Sequence, residues 1–255
     1  MTELLLLIAG LFGGAVNTLA GGGSFIVFPA LLAAGVPPVI ANASNTYAAL
    51  PGYASGALGL WADIVRYRNR LLAYTLVGLV FGYVGAELLL RVSNAQFAVA
   101  VPWLMLFAVL LFIFGGRINA FVAARAGKGR GMKAAGAAIL LVLLAGISIY
   151  GGFFNAGLGI LLLAFLVLAG IKEIHSANGL KLWISTVIAL VAVVRFALSG
   201  SIDWYHGSIA LVGVTSGGYI AARLAHRIPA ALIRAAVIVY GVAVTGYFFW
   251  KAYLA

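Results

Sequence analysis

The chain contains no cysteine. Disulfides, thiolate nucleophiles and thiolate-held zinc or iron–sulfur centres are therefore excluded. Acidic residues are almost as scarce, with five Asp and Glu and three His in 255 residues. An enzyme buried in a membrane needs a carboxylate pair, a Ser–His or Ser–Lys dyad, or a histidine cluster. No such constellation stands out in so sparse a set, so the chain reads as a non-enzyme that calls for no cofactor and no metal. Charge of either sign is rare, at 8% of residues against 65% hydrophobic, with a mean hydropathy of +1.16. A soluble domain of this composition has too little polar surface to cover its apolar one. The expectation is an all-α polytopic membrane protein with essentially no soluble domain.

The remaining charge is lopsided, with 16 Lys and Arg and a formal net charge of +11. In a membrane protein, basic residues mark cytoplasmic loops and meet anionic head groups. Lipid is the expected partner, and nucleic acid is not. The first apolar run has no basic region ahead of it; Glu3 is its one charged side chain, and it flows into a glycine loop without a clear cleavage site. It reads as part of the fold rather than as a signal peptide.

A glycine-broken apolar hairpin occurs twice. The first reads Gly13-Gly14-Ala15-Val16-Asn17-Thr18-Leu19-Ala20-Gly21-Gly22-Gly23-Ser24, then a short apolar stretch to Gly35. The second reads Gly151-Gly152-Phe153-Phe154-Asn155-Ala156-Gly157-Leu158-Gly159, then a short stretch to Gly170. Each second arm has about a dozen residues, or about 18 Å of helix against a hydrocarbon core of roughly 30 Å. Matching interrupted segments in two halves of a membrane chain point to a transporter binding site. At the offset from Ala41 to Ala177, other features coincide: Asn42 with Asn178, Tyr47 with Trp183, Gly82-Tyr83 with Gly218-Tyr219, and Arg91 with Arg227.

The reading is one membrane domain of two repeats, 1–119 and 134–255, joined by a basic cytoplasmic linker at 120–133. Each repeat has a broken-helix hairpin and three transmembrane helices, near 39–61, 70–91 and 96–115 and near 174–199, 206–226 and 230–252. Arg66, Arg68 and Arg70 form one basic loop, and Arg117, Arg125, Lys128, Arg130 and Lys133 the next. With these inside, Lys172, Arg223, Arg227 and Arg234 fall inside too, and both termini fall outside. Three crossings per repeat invert the second repeat relative to the first. The hairpins then enter from opposite faces, and their tips meet near the midplane.

The tips carry the candidate site. Gly21, Gly22, Gly23 and Ser24 precede a half-helix whose free N–H groups and positive dipole end suit an anion, with Ser24 as its expected N-cap. Asn17 belongs to the same break, and Asn155, Gly157 and Gly159 form its counterpart. Gly10, Gly13, Gly14, Gly78 and Gly82 read instead as packing glycines. Asn178, Lys181 and Ser185 share one helix face, and Asn42, Asn45 and Ala49 trace the equivalent stripe. A cation at membrane depth suggests function, although Lys181 lies near enough to the cytoplasmic face to snorkel. Asn45, Asn178 and Tyr47 suit interhelical hydrogen bonds as well as ligand contacts. Tyr47 and Trp183 are expected as walls. Glu87 and Arg91 are expected to pair, with Arg195 as an interface anchor, and His175 lies at the membrane surface.

The segment 10–29 with its Asn17-Thr18-Leu19-Ala20-Gly21-Gly22-Gly23 core, then Gly35-Val36-Pro37-Pro38 and Ala41-Asn42-Ala43-Ser44-Asn45, resembles the sulfite exporter TauE/SafE family of small bacterial permeases. The resemblance covers nearly the whole chain, since 151–170 followed by Ala177-Asn178 looks like that family's second repeat, with a poorer glycine run. It implies transport of sulfite, a sulfonate such as sulfoacetate, or a related small anion across the bacterial inner membrane, with proton or sodium coupling and a homodimer both open. The expected mechanism is alternating access. The alternatives are a carrier for a carboxylate, cation or neutral solute, or a non-transporting membrane subunit.

Overall fold

The computed structural model describes all residues except 21, 127–132, 172, 225–229 and 255. Among them there are eleven helices and no strand: α1 (Thr2–Ala20), α2 (Ser24–Ala33), α3 (Pro38–Gly59), α4 (Trp61–Val65), α5 (Arg68–Leu90), α6 (Asn94–Ala126), α7 (Lys133–Phe153), α8 (Leu158–Leu168), α9 (Ile174–Leu198), α10 (Trp204–Leu224) and α11 (Ala230–Tyr253). Four described stretches are long and apolar enough to cross a membrane: α5, Asn94–Arg117 of α6, α9, and Ala235–Tyr253 of α11. Helices α3 and α10 are of similar length but carry more polar residues. In α3 these are turned inward, with Asn42, Ser44, Asn45 and Thr46 all buried. The outer faces present Leu72, Val80, Trp103, Phe107, Val142 and Val239. An apolar surface of that extent is suited to lipid.

The short arms end where glycine permits. Gly35 (φ 86°) and Gly170 (φ 83°) are left-handed. In α2 the Val36 N–H reaches Leu31 O at 3.1 Å and the Gly35 N–H reaches Leu32 O at 3.1 Å. In α8 the Ile171 N–H reaches Leu166 O at 2.9 Å and the Gly170 N–H reaches Val167 O at 3.0 Å. Both are Schellman stops. They leave α2 with 10 residues and α8 with 11, about 15–17 Å each at 1.5 Å per residue.

The halves are packed through each other. Helix α1 lies along α10, and α7 crosses α5. Glycine makes both approaches possible: a Cβ on Gly10 would fall 2.9 Å from Gly213 Cα, one on Gly14 would strike the Val214 carbonyl, and one on Gly152 would strike the Gly82 carbonyl. The packing role expected for Gly10, Gly14 and Gly82 is met at these crossings. Tyr205 donates to Glu3 at 3.4 Å where α1 and α10 begin together. Helix α3 packs on α9 and on α10, and α9 on α5.

A ring cluster joins the two hairpins. Phe28 of α2 lies 5.6 Å from Phe154 at the second tip and 6.4 Å from Phe97 of α6, with Phe97 and Phe154 6.2 Å apart. All three are fully buried or nearly so. Edge-to-face aromatic pairs contribute about 0.5–1.5 kcal/mol each beyond their buried area.

The helix expected at 96–115 runs on to Ala126, so the first part of the expected basic linker, 120–126, is helical. The Gly115-Gly116 pair does not end it. Gly115 instead lets α8 approach, since a Cβ there would lie 2.6 Å from Ile160 Cγ2. Arg68 and Arg70 open α5 rather than sit in a loop. Arg70 donates to the Ala169 carbonyl at the C-terminal end of α8 at 2.5 Å, a cation at the negative end of a helix dipole. Gly21, Lys128, Arg130, Lys172 and Arg227 lie outside the described residues, as do the side chains of Arg125, Lys133 and Arg234.

Candidate functional site

At the first hairpin tip is a small, partly open cavity with room for about one water, lined by Gly13, Asn17, Gly23, Ser24, Val27, Asn45, Ala49 and Val214. Four of the expected residues converge here: Asn17 from α1, Gly23 and Ser24 from the break, and Asn45 from α3. The break is tight. A Cβ on Gly23 would strike the Gly13 carbonyl and sit 2.7 Å from Asn17 Cβ. Ser24 is not the N-cap that the sequence suggested. Gly23 occupies that position without a side-chain cap, and Ser24 is the first helical residue. Its hydroxyl accepts from Asn45 Nδ2 at 3.1 Å, with both residues buried. The Ser24 O–H and the second Asn45 N–H are therefore left to donate. The amides of Gly22, Gly23 and Ser24 take no backbone partner among the described residues. Every polar group of the lining is uncharged, and the N-terminus of α2 opens beside it.

The second tip is built differently. Asn155 is a left-handed non-glycine residue (φ 54°), and Gly157, which precedes α8, has φ 78°. Tyr53 of α3 donates to Asn155 Oδ1 at 3.3 Å. Tyr150 donates to the Ala156 carbonyl at 2.5 Å, and Asn42 Nδ2 to the Phe153 carbonyl at 2.8 Å. The turn is thus held by α3 of the first half and by α7. Asn155 is only 2% exposed, yet among the described residues its Nδ2 has no hydrogen-bond partner, and neither has Asn42 Oδ1. At the start of α8, a Cβ on Gly159 would lie 3.5 Å from Lys181 Cδ. Lys181 Nζ donates to Asn178 Oδ1 at 3.2 Å and forms no ion pair among the described residues.

The other expected residues lie elsewhere. Gly22 packs against Phe112, Phe25 and Val237. Tyr47 stacks edge-on to Trp204 at 5.1 Å and shares a hydrogen bond with Ser208 at 3.4 Å. Trp183 lies 5.3 Å from Trp61 and donates to Thr75 Oγ1 at 2.8 Å. Neither ring lines the cavity. Three lining residues carried no chemical signal in the sequence: Val27 and Val214 have none, and Gly13 read as packing. Ala49 was already on the Asn42–Asn45 stripe. Glu87 pairs with Arg91 at 3.2 Å as expected, and also with Arg195 at 2.7 Å, so Arg195 is an interhelical partner rather than only an anchor. Glu173 caps α9, accepting from His175 N at 2.9 Å and Ser176 N at 2.5 Å. Hydrogen bonds from Ser176, then from His175, bring its carboxyl down to about 2.

A cavity at the break of a hairpin, with Asn17, Ser24 and Asn45 in a mainly apolar lining, inside a bundle that holds helices long and apolar enough to cross a membrane, fits the architecture of a membrane transporter. The sequence model of the family described as sulfite exporter TauE/SafE matches residues 6–248, and the chain belongs to that family. A probable membrane transporter protein of Haemophilus influenzae is 27% identical over 238 residues, covering 92% of this chain and 89% of the relative. The probable membrane transporter protein YfcA of Escherichia coli K12 is 26% identical over 244 residues, covering 92% and 85%. A probable membrane transporter protein of Xylella fastidiosa is 26% identical over 250 residues, covering 96% and 93%. No solved structure matches the chain. The protein is a membrane transporter of the TauE/SafE type, not an enzyme.

Proposed function

We propose that this transporter carries a small organosulfur oxyanion, such as sulfite or sulfoacetate, across the bacterial cytoplasmic membrane by alternating access. The observation that carries the reading is the cavity at the start of α2. It offers the Ser24 hydroxyl, the Asn17 and Asn45 amides and the helix N-terminus, and no carboxylate. Such a lining stabilises an anion through donors and a dipole end, without needing a counter-ion. The family's name points the choice toward sulfite.

The reciprocal packing of α1 on α10 and α7 on α5, and the matched stops at Gly35 and Gly170, support two inverted repeats; the placement of basic residues supports both termini outside. Movement of one hairpin pair against the α3–α9 centre would open the cavity to one face at a time. Reporter fusions at both termini test the topology, and a cytoplasmic terminus would overturn it. Flux into proteoliposomes tests the substrate. Sulfite or sulfoacetate should move and compete with each other, and Asn45→Ala should raise KM. Flux of a sodium ion or a neutral solute with neither anion transported would overturn the assignment.

A further inference from the structure

The second hairpin tip is not part of the cavity lining, yet it gathers unsatisfied donors and a positive charge beside a single unsatisfied acceptor, Asn42 Oδ1, among the described residues. The amides of Gly157 and Gly159 take no hydrogen bond among the described residues. They open α8, an 11-residue helix, and so carry its positive dipole end. Lys181 lies against Gly159, bringing an ammonium to that same positive end. Two like charges repel there, and no carboxylate among the described residues answers either of them. Among the described residues the one hydrogen bond of Lys181 Nζ is to a neutral amide oxygen, Asn178 Oδ1. Asn155, in the turn that enters α8, holds its carboxamide nitrogen buried and unpartnered. Its own carbonyl accepts the Leu158 N–H at 3.1 Å, which folds it onto the first turn of the helix. Buried polar groups in native structures are nearly always satisfied. A helix end, a cation and an amide donor that lack acceptors together are met by one ligand class, a small oxyanion with several acceptor oxygens.

This position is separate from the first-tip cavity. Asn45 and Ala49 line that cavity. Tyr53 follows them on the same face of α3, two turns beyond Asn45 or about 12 Å, and its hydroxyl reaches the second tip at Asn155. Tyr53 therefore links the cavity-lining stripe of α3 to the second tip.

We infer that the second tip is a distinct oxyanion subsite, formed by the α8 N-terminus, Lys181 and Asn155, and that substrate passes between it and the first-tip cavity around Tyr53. The inference rests on the reading of the chain as an anion carrier and adds a second station to it. Lys181 supplies charge where the first cavity supplies only neutral donors, so the two stations hold the ion unequally.

The test is equilibrium binding of radiolabelled sulfite, and separately sulfoacetate, to the full chain in phosphatidylcholine nanodiscs. Wild type should saturate at two anions per chain. Lys181→Gln should saturate at one, and Lys181→Arg should restore two. Gly159→Val fills the space beside Lys181 while keeping the ammonium, and it should also give one, which covers the case of a misfolded Lys181→Gln. Saturation at one in wild type, weakened by both Asn45→Ala and Lys181→Gln, would mean a single shared site; it would overturn the second station and leave the carrier reading standing. No binding of either anion together with no flux would overturn the carrier reading itself. A count that falls from two to one in phosphatidylglycerol discs would assign the Lys181 position to a lipid phosphate, and overturn it as a station for free substrate.

Discussion

The two hairpin tips share a plan and differ in substance. At the first, glycines compress the break so that Gly23 lies on the backbone of Gly13, and neutral donors surround a cavity. At the second, a left-handed Asn155 and Gly157 make the turn, α3 and α7 pin it, and a lysine replaces the asparagine that reaches the short helix in the first half. Asn45 touches Ser24 where Lys181 touches Gly159. The same geometric position on α3 and α9 thus carries a neutral donor in one half and a charge in the other. Duplicated backbone geometry does not require duplicated chemistry, because each tip is completed by side chains from the opposite half: Val214 for the first, Tyr53 and Asn42 for the second.

The largest expected effect tests the compression itself. Gly23→Ala places a methyl group against the Gly13 carbonyl and Asn17; overpacking of this kind costs about 1–3 kcal/mol, and substrate flux should be lost along with a fall in melting temperature. Gly159→Ala meets nothing closer than Lys181 Cδ at 3.5 Å and should keep both. Equal tolerance at the two positions would break the contrast.

Tyr53→Phe comes next. It removes the partner of Asn155 Oδ1 in a residue that already has one unsatisfied atom. Leaving a buried acceptor unpaired costs about 1–3 kcal/mol, and thermal unfolding of the detergent-purified protein should show the loss. At Gly157, where φ is 78°, alanine should cost about 1–2 kcal/mol through the left-handed backbone alone. The equivalent strain is absent at Gly23, whose φ is −59°, so there the penalty is contact rather than conformation. Comparing Gly→Ala with Gly→Asn, which tolerates the left-handed region, separates these causes: Asn should partly rescue position 157 and not position 23.

The smallest effect concerns the entry to α9, which carries Lys181. The Glu173 carboxyl is depressed to about 2 from an ordinary value of 4.5. A depressed carboxyl contributes stability that is present above the unfolded value and is lost as pH falls toward the folded one. In Glu173→Gln the melting temperature should therefore fall less steeply between pH 4.5 and 2 than in wild type. An unchanged acid limb would mean that the cap does not stabilise α9.

Much of the hairpin plan is readable from local sequence. The short arms were expected at about 24–35 and 159–170 and are found at 24–33 and 158–168, because glycine at a Schellman stop is a backbone requirement visible in one dimension. The stripe Asn42, Asn45, Ala49 follows from helical period, and two of its members line the cavity. The helix expected near 96–115 continues through Gly115-Gly116 to Ala126, since glycine weakens a helix by only about 1 kcal/mol and packing against α8 outweighs it. Ser24 reads as a cap in the sequence, but its partner in the fold is Asn45, which no local spacing places beside it. Tyr47 and Trp183 sit at matching positions of the two halves, yet each is taken up by a neighbouring aromatic and a hydroxyl, contacts that no spacing announces.

Composition, hydropathy and glycine placement by themselves determined a membrane protein with two broken hairpins, the lengths of the short arms, and which helix faces are polar. These properties depend on neighbours within a turn or two along the chain, so sequence carries them. Only the tertiary structure decided which donors converge, that Val214 lines the first cavity while Tyr53 holds Asn155 at the second tip, and that Lys181 stands near the start of α8 without a counter-charge among the described residues. Those outcomes depend on helices from opposite halves meeting at glycine crossings, and a contact between residues two hundred positions apart leaves no periodic trace in either segment.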